Sequence, residues 1–480
     1  MTGASVVGRA ARGARVLLAG QVLRALTQFT GLVVLSRLLV PEDFGAMVVA
    51  AVVVGIGDVL RDLGLSVAAV RQPSIRPAER SALFVVNALL GLLLAGVVFA
   101  LAPVIARIVD AAVAEGLLKV VAITFVLNGL SAQFRADLNR TMRYRILAVV
   151  DAVSFALATV LAIVLAAHGA GVWALAAQVV ASSALTAALF TVLGRWAPAR
   201  PTFDAQTQAS IRFGANVAAS QAMSYVGNNI DSVVLAVTAP SVAVGLYNRA
   251  FQCVMAPLAL LRAPLTTVAV PSLSRLLSDQ PAYERFVLQA QASIGYLVVP
   301  PVFAAAAAAQ PLVAIVLGPG WEEAVPVVAL LALAAALQQL SSFANWVFAA
   351  NGDGAAARNF SLVATAVRAV LIIALAGRGP VGVALGYLLS VVLLWPLAVS
   401  WACRSAQLSP GVVMGVSMRP LVLGGAAFGL VWIALALTSE AGSAARLALA
   451  IGVTGLAYGL GMLAPRVRRE ILAAIRVVLR

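Results

Sequence analysis

The chain has 480 residues, of which 62% are hydrophobic and only 11% charged; an ordinary soluble domain carries about 45–50% apolar and about 25% charged residues, so a soluble enzyme is excluded. Basic residues outnumber acidic ones 33 to 18, for a formal net charge of +15, and Lys119 is the single lysine. On a soluble protein that excess would point to nucleic acid; between apolar segments it points to the loops that orient a membrane protein.

Breaking the chain at charges, Pro and Gly leaves apolar runs, and a bilayer core needs roughly 20 such residues per helix. In chain order the runs are 16–36, 44–70, 82–106, 117–134, 147–167, 172–193, 213–237, 243–270, 287–314, 324–350, 360–376, 381–402, 412–437 and 445–464. The expected fold is therefore all-α, a polytopic membrane protein of about fourteen transmembrane helices. With the N-terminus in the cytoplasm, the inside segments hold twenty-two basic residues and the outside segments five, which sets the orientation and returns the C-terminus to the cytoplasm. Arg9, Arg12 and Arg15 precede the first run as in a signal peptide, but Arg24 interrupts it and no cleavage site follows, so it is read as a retained helix. Pro257, Pro264, Pro300, Pro301 and Pro326 are candidate kinks.

Other chemistry is thinly represented. Cys253 and Cys403 lie in apolar surroundings, which leaves no disulfide framework or thiolate metal site. The single histidine, His168, sits in an Ala-His-Gly-Ala-Gly turn, and no Gly-x-Ser-x-Gly elbow supplies a nucleophile, so it reads as a loop residue at a membrane interface. No P-loop is present for nucleotide hydrolysis. No catalytic residue, cofactor, metal or nucleic-acid partner is expected.

Two segments look alike. Leu38-Leu39-Val40-Pro41-Glu42-Asp43-Phe44-Gly45 and Val237-Thr238-Ala239-Pro240-Ser241-Val242-Ala243-Val244-Gly245 each read as a helix end, a Pro turn and a Gly at the head of the next helix. With the polar stretch from Gly194 to Arg212 they suggest an N-terminal six-helix bundle over 1–200 and a second over 201–405. Two further transmembrane helices occupy 406–464, and residues 465–480 form a basic amphipathic cytoplasmic tail suited to anionic lipid.

The run Leu35-Ser36-Arg37-Leu38-Leu39-Val40-Pro41-Glu42-Asp43-Phe44-Gly45, then Asp62-Leu63-Gly64-Leu65-Ser66, resembles the opening of bacterial polysaccharide flippases of the multidrug/oligosaccharidyl-lipid/polysaccharide superfamily. Asn229-Ile230-Asp231, Val244-Gly245-Leu246-Tyr247-Asn248-Arg249-Ala250 and Val270-Pro271-Ser272-Leu273-Ser274 are similar to that family's later motifs. The resemblance implies a Wzx-like fold that moves polyprenyl-diphosphate-linked oligosaccharide between leaflets of the bacterial inner membrane for surface polysaccharide synthesis. The partners it implies are that lipid-linked glycan, membrane lipid, and a polysaccharide polymerase and glycosyltransferases. A peptidoglycan-precursor flippase and a multidrug antiporter of the same superfamily are the alternatives.

Charges within a span cost about 2.5–3.5 kcal/mol at its centre and need a partner, water or a function. Gln21, Arg24 and Gln28 fall within about a 60° arc of the first helix, so Arg24 is a candidate for gripping a diphosphate or for an interhelical hydrogen bond. Arg249, Arg262 and Arg368 have no acidic residue within one turn and are further candidates for the diphosphate. Polar stripes that suit either sugar hydroxyls or helix packing are formed by Gln221, Ser224, Asn228 and Asp231, by Gln338, Ser341, Ser342 and Asn345, and by Thr124, Asn128, Ser131 and Arg135. Asp231 is a candidate for coupling-ion binding, with Asp151 a weaker one. Near the end of the second helix, beside Asp62, an Asp58–Arg61 pair would largely neutralise itself, which favours a structural role.

Overall fold

The computed structural model describes the backbone of residues 3–62, 76–194 and 196–479, with side chains throughout except at 3–19, 58–62, 260–264, 267, 475–479 and many positions of 206–224. Among the described residues the regular structure is entirely helical, and the apolar runs fall on helices as far as they are described, the 44–70 run up to Asp62. The first three lie in α1 (Gly3–Leu38), α2 (Pro41–Asp62) and α3 (Pro77–Ile108). The fourth is split at Ala122 into α4 (Ala112–Val121) and α5 (Ile123–Arg140), followed by α6 (Tyr144–Ala167) and α7 (Val172–Gly194). The seventh breaks at Asn229 into α8 (Ala205–Asn228) and α9 (Ile230–Thr238); α10 (Ser241–Arg275) follows, and the ninth breaks at Ala308 into α11 (Gln280–Ala307) and α12 (Ala309–Val316). A short 3₁₀ turn leads into α13 (Val325–Asn351), then α14 (Gly354–Leu375), α15 (Gly379–Ala406), α16 (Pro410–Ala436), α17 (Ser443–Gly461) and α18 (Pro465–Leu479). Nine helical stretches among the described residues are long and apolar enough to cross a bilayer, α14 and α15 counting there as one stretch. The chain is an all-α, polytopic membrane protein.

Proline and aspartate mark the helix starts. Pro77 and Pro410 open α3 and α16, where a missing N–H costs nothing. Pro326 does the same for α13, so it begins a helix and does not kink one. Asp204, Asp279 and Asp353 cap α8, α11 and α14 by accepting from the N–H groups of Thr207, Ala282 and Ala356 at 2.9, 3.0 and 3.0 Å. Pro300 and Pro301 lie inside α11, and Pro257 and Pro264 fall within the continuous α10.

The chain divides into two compact units, Met1–Asn248 and Arg249–Arg480. In the first, α1 lies along α6, α6 on α7, α3 on α5, and α2 against α8. The two look-alike Pro-Gly turns meet here. A Cβ on Gly45 would overlap the Ser241 carbonyl, and one on Gly245 would overlap the Pro41 carbonyl, so each glycine lets the other turn approach.

Residues 196–204 are strapped to the start of α3. Ala199 N–H donates to Ser81 Oγ at 2.9 Å, Thr202 N–H to the Ala78 carbonyl at 3.4 Å, and Arg76 pairs with Asp204. Trp196 lies under the Arg80 guanidinium at 4.5 Å and edge-on to Phe84 and Phe134. The Thr207 N–H and Arg76 hold the Asp204 carboxyl down at about 2.

In the second unit α11 packs on α13 and α16, and α15 packs on α13 and α14. Its Asp353 end is tied by Ser405 Oγ, which donates to Asp353 Oδ2 at 2.9 Å, and by Asn351 Nδ2, which donates to the Ser405 carbonyl at 2.9 Å. The Ala356 N–H and the Ser405 hydroxyl keep the Asp353 carboxyl below the usual carboxylate range. The tail is a helix, as its periodicity predicts, but it is docked. Ile471 and Ala474 of α18 are buried, Glu470 pairs with Arg419 of α16, and Tyr296 of α11 donates to Glu470 at 2.9 Å. Its apolar stripe is thus partly spent on protein, while Arg466, Arg468 and Arg469 stay exposed.

Candidate substrate-binding site

In the second unit four helices bring together residues that the sequence separates. Arg368 of α14 lays its guanidinium over the Tyr387 ring of α15, 5.0 Å from the centroid, a cation–π arrangement that fixes a charge without neutralising it. Among the described residues no carboxylate pairs with Arg368, and its Nε is buried without a hydrogen-bond acceptor. Tyr387, itself only 3% exposed, donates to Gln338 Oε1 of α13 at 3.4 Å and meets Phe251 of α10 edge-on at 6.1 Å. Arg249, two residues before Phe251, is buried and donates to Gln252 Oε1 at 3.2 Å. Arg368, Gln338 and the α10 segment around Arg249 therefore adjoin one aromatic platform, with Tyr387 and Phe251 supplying the links.

Of the other candidates of this unit, Asn345 is exposed on α13. Ser341 and Ser342 donate to the carbonyls of Leu337 and Gln338 on their own helix, at 3.4 and 3.3 Å. Arg262 lies within α10, but its side chain is outside the described residues.

In the first unit Arg24 is exposed on α1, with its guanidinium 5.3 Å from the Phe155 ring centroid of α6. Gln21 and Gln28 share that exposed stripe, and no carboxylate pairs with Arg24 among the described residues. Gln221 and Asn228 are exposed on α8. The polar run breaks directly after them: Asn229 Nδ2 donates to the Tyr225 carbonyl at 2.8 Å and α9 starts at Ile230. Asp231 sits in the first turn of α9, where the helix dipole favours an anion. It is 3% exposed, and accepts from Tyr247 Oη at 2.7 Å and from the Ser232 N–H at 2.9 Å.

Several further polar residues have partners within the protein. Thr124 and Ser131 are buried, and donate to the carbonyls of Val121 and Asn128 at 2.6 and 3.0 Å, so this stripe is satisfied by its own backbone. Arg135 pairs with Asp151, which occupies that carboxylate. His168 Nδ1 donates to the Val164 carbonyl at 2.8 Å at the end of α6, in keeping with a loop role. The side chains of Asp58, Arg61 and Asp62, and the Gly64-Leu65-Ser66 segment, lie outside the described residues. Sequence reasoning missed Tyr387 and Phe251. The available signal was a tyrosine inside an otherwise apolar run, whose hydroxyl must find a partner.

A family model described as "Polysaccharide biosynthesis protein" matches residues 34–326, more than half of the chain. The chain belongs to this family. The matched stretch contains the Pro-Gly turns, the Asn229–Asp231 break and the start of α13. Among relatives, the chain is 24% identical over 364 residues to the lipopolysaccharide biosynthesis protein WzxC of Escherichia coli, covering 74% of this chain and 73% of that protein. It is 27% identical over 307 residues to the succinoglycan biosynthesis transport protein ExoT of Rhizobium meliloti, covering 64% and 62%. Among solved structures it resembles the lipid II flippase MurJ in an inward closed conformation, with a TM-score of 0.71 at 12% identity over 94% of this chain and 98% of that one. That likeness establishes the fold. This family member is a multi-pass protein of the bacterial cytoplasmic membrane.

Proposed function

We propose that the chain is a flippase that carries polyprenyl-diphosphate-linked oligosaccharide from the inner to the outer leaflet for cell-surface polysaccharide synthesis. The observation that carries this reading is Arg368, a cation held on Tyr387 with no carboxylate partner among the described residues, in a member of a polysaccharide biosynthesis family. A guanidinium so placed offers forked donors to a diphosphate. Arg24 offers the same on α1, and Arg249 and Arg262 are further diphosphate candidates. Gln21, Gln28, Gln221, Asn228, Gln338 and Asn345 supply donors and acceptors for sugar hydroxyls. Asp231, at the α8–α9 break, is the candidate for ion coupling.

Transport proceeds by alternating access, with an N-terminal and a C-terminal bundle as the moving bodies and the Arg-rich ends in the cytoplasm. The energy comes from an ion gradient, the membrane potential or removal of product outside. A polymerase and glycosyltransferases act before and after this step. Deleting the gene in its host tests the reading: lipid-linked glycan should accumulate in the inner leaflet while surface polysaccharide falls. Unchanged surface polysaccharide together with greater sensitivity to cationic drugs would favour the multidrug antiporter.

A further inference from the structure

A polar knot outside the arginine cluster fixes the last helix of the second unit. Glu470 of α18 pairs with Arg419 of α16 and accepts from Tyr296 Oη of α11 at 2.9 Å, while Tyr458 of α17 donates to the Tyr296 carbonyl. Tyr296, Leu423 and Ile471 form one buried apolar cluster beside it, with Val467 packed against them. The knot sets the roll of α18. At 100° per residue Val467, Glu470, Ile471 and Ala474 fall within about a 100° arc that faces the protein, and Arg466, Arg468, Arg469 and Leu472 are exposed on the remainder. Glu470 is the single acidic residue after Glu440, so the knot takes up the only negative charge of the tail. None of the three arginines pairs with a carboxylate among the described residues.

The knot also lies at a membrane boundary. Tyr296 is twenty residues from the end of α12 at Val316, and Arg419 is seventeen from the end of α16 at Ala436; at 1.5 Å per residue these are about 30 and 26 Å, close to one hydrocarbon thickness. Both far ends lead into acidic turns that carry Glu322, Glu323 and Glu440, so the knot marks the opposite, basic face. Leu460 and Leu463 at the end of α17 are 52% and 79% exposed, and Arg466 follows within one turn. Exposed leucine giving way to exposed arginine is the profile of a chain that passes from hydrocarbon into a headgroup layer, and not of a surface turned to the cytosol.

We propose that α18 is an anionic-phospholipid contact in the cytoplasmic leaflet: the Glu470 knot holds one face of the helix on α11 and α16, and Arg466, Arg468 and Arg469 on the other meet headgroup phosphates. Three cations with no acidic neighbour left over favour anionic over zwitterionic headgroups. Docking and lipid contact use different faces, so α18 sustains both at once and ties α11 and α16 to the leaflet surface. The contact is independent of which substrate is carried.

The test uses the full chain in phosphatidylcholine nanodiscs doped with one of two probes, phosphatidylglycerol or phosphatidylcholine, each carrying a photoreactive group on its headgroup. The phosphatidylglycerol probe is expected to label 466–472 at least about fivefold more than the phosphatidylcholine probe, the factor that one arginine near an anionic surface supplies. The excess should shrink as salt is raised. It should vanish in the combined Arg466→Gln, Arg468→Gln, Arg469→Gln variant, which leaves the Glu470–Arg419 pair in place, while labelling by the phosphatidylcholine probe persists. Equal labelling by the two probes in wild type, or an undiminished excess in the triple variant, overturns the proposal. So does absence of label on 466–472 with the arginines equally open to trypsin in both lipids, the result expected if they face a soluble acidic partner. The comparison of headgroups uses wild-type protein, so it decides even where the variant fails to fold.

Discussion

Arg368 offers the sharpest perturbation, because its charge is held by a ring and not by a carboxylate. Arg368→Ala removes the charge and both forked donors. A hydrogen bond to a charged group is worth about 1.5–3 kcal/mol, so the lost contact should weaken binding of a polyprenyl-diphosphate glycan roughly 10- to 150-fold. Arg368→Lys keeps the charge but loses the fork, and should cost roughly tenfold. Tyr387→Phe keeps the ring under the guanidinium and loses the 3.4 Å bond to Gln338; at about 0.5–1 kcal/mol this is a two- to fivefold effect. Equilibrium binding of radiolabelled glycan lipid to the protein in nanodiscs measures all three, with thermal unfolding confirming intact folds. Wild-type affinity in Arg368→Ala, or a larger loss in Tyr387→Phe than in Arg368→Ala, would refute the reasoning.

Four further outcomes are expected. Gly45→Ala and Gly245→Ala each force apart the two Pro-Gly turns and should destabilise by about 1–3 kcal/mol, lowering the melting temperature in detergent. The Asp204 carboxyl titrates at about 2, below its ordinary 3.8. Its contribution to the strap is therefore complete above about pH 4 and is lost as pH falls through about 2; amide exchange across 196–204 should rise over that window in wild type and be pH-insensitive there in Asp204→Asn. Glu470→Gln removes the Arg419 ion pair, so trypsin should release the 15-residue α18 faster; an unchanged rate would show that Ile471 and its neighbours hold the helix alone. Asp231→Asn keeps an acceptor for Tyr247 but loses the charge, so transport should lose its dependence on an imposed ion gradient while glycan-lipid binding persists.

The membrane architecture was legible because apolar length survives any tertiary detail: among the described residues the apolar runs fall on helices. The breaks were not. Ala122 and Ala308 are good helix formers by propensity, and only packing reveals that α4–α5 and α11–α12 are interrupted there. The resemblance between the two Pro-Gly turns was visible in sequence, but their mutual contact is a tertiary fact. Angular stripes do not distinguish sugar contact from packing at Thr124 and Ser131, since a buried hydroxyl can donate to the carbonyl three residues back. Lone intramembrane arginines are legible as charges that need a partner. Arg368 and Arg24 both lie on aromatic rings, although which ring each would choose depends on neighbouring helices that no local pattern encodes.

Transport itself is tested most directly in proteoliposomes that contain only the purified chain and a fluorescent polyprenyl-diphosphate glycan, with translocation followed by the access of a membrane-impermeant glycosidase. The account predicts protein-dependent loss of protected glycan under an imposed ion gradient or membrane potential, abolished in the Arg24→Ala, Arg368→Ala double variant. Protection equal to that of protein-free liposomes under both driving forces, or undiminished translocation by the double variant, would contradict it.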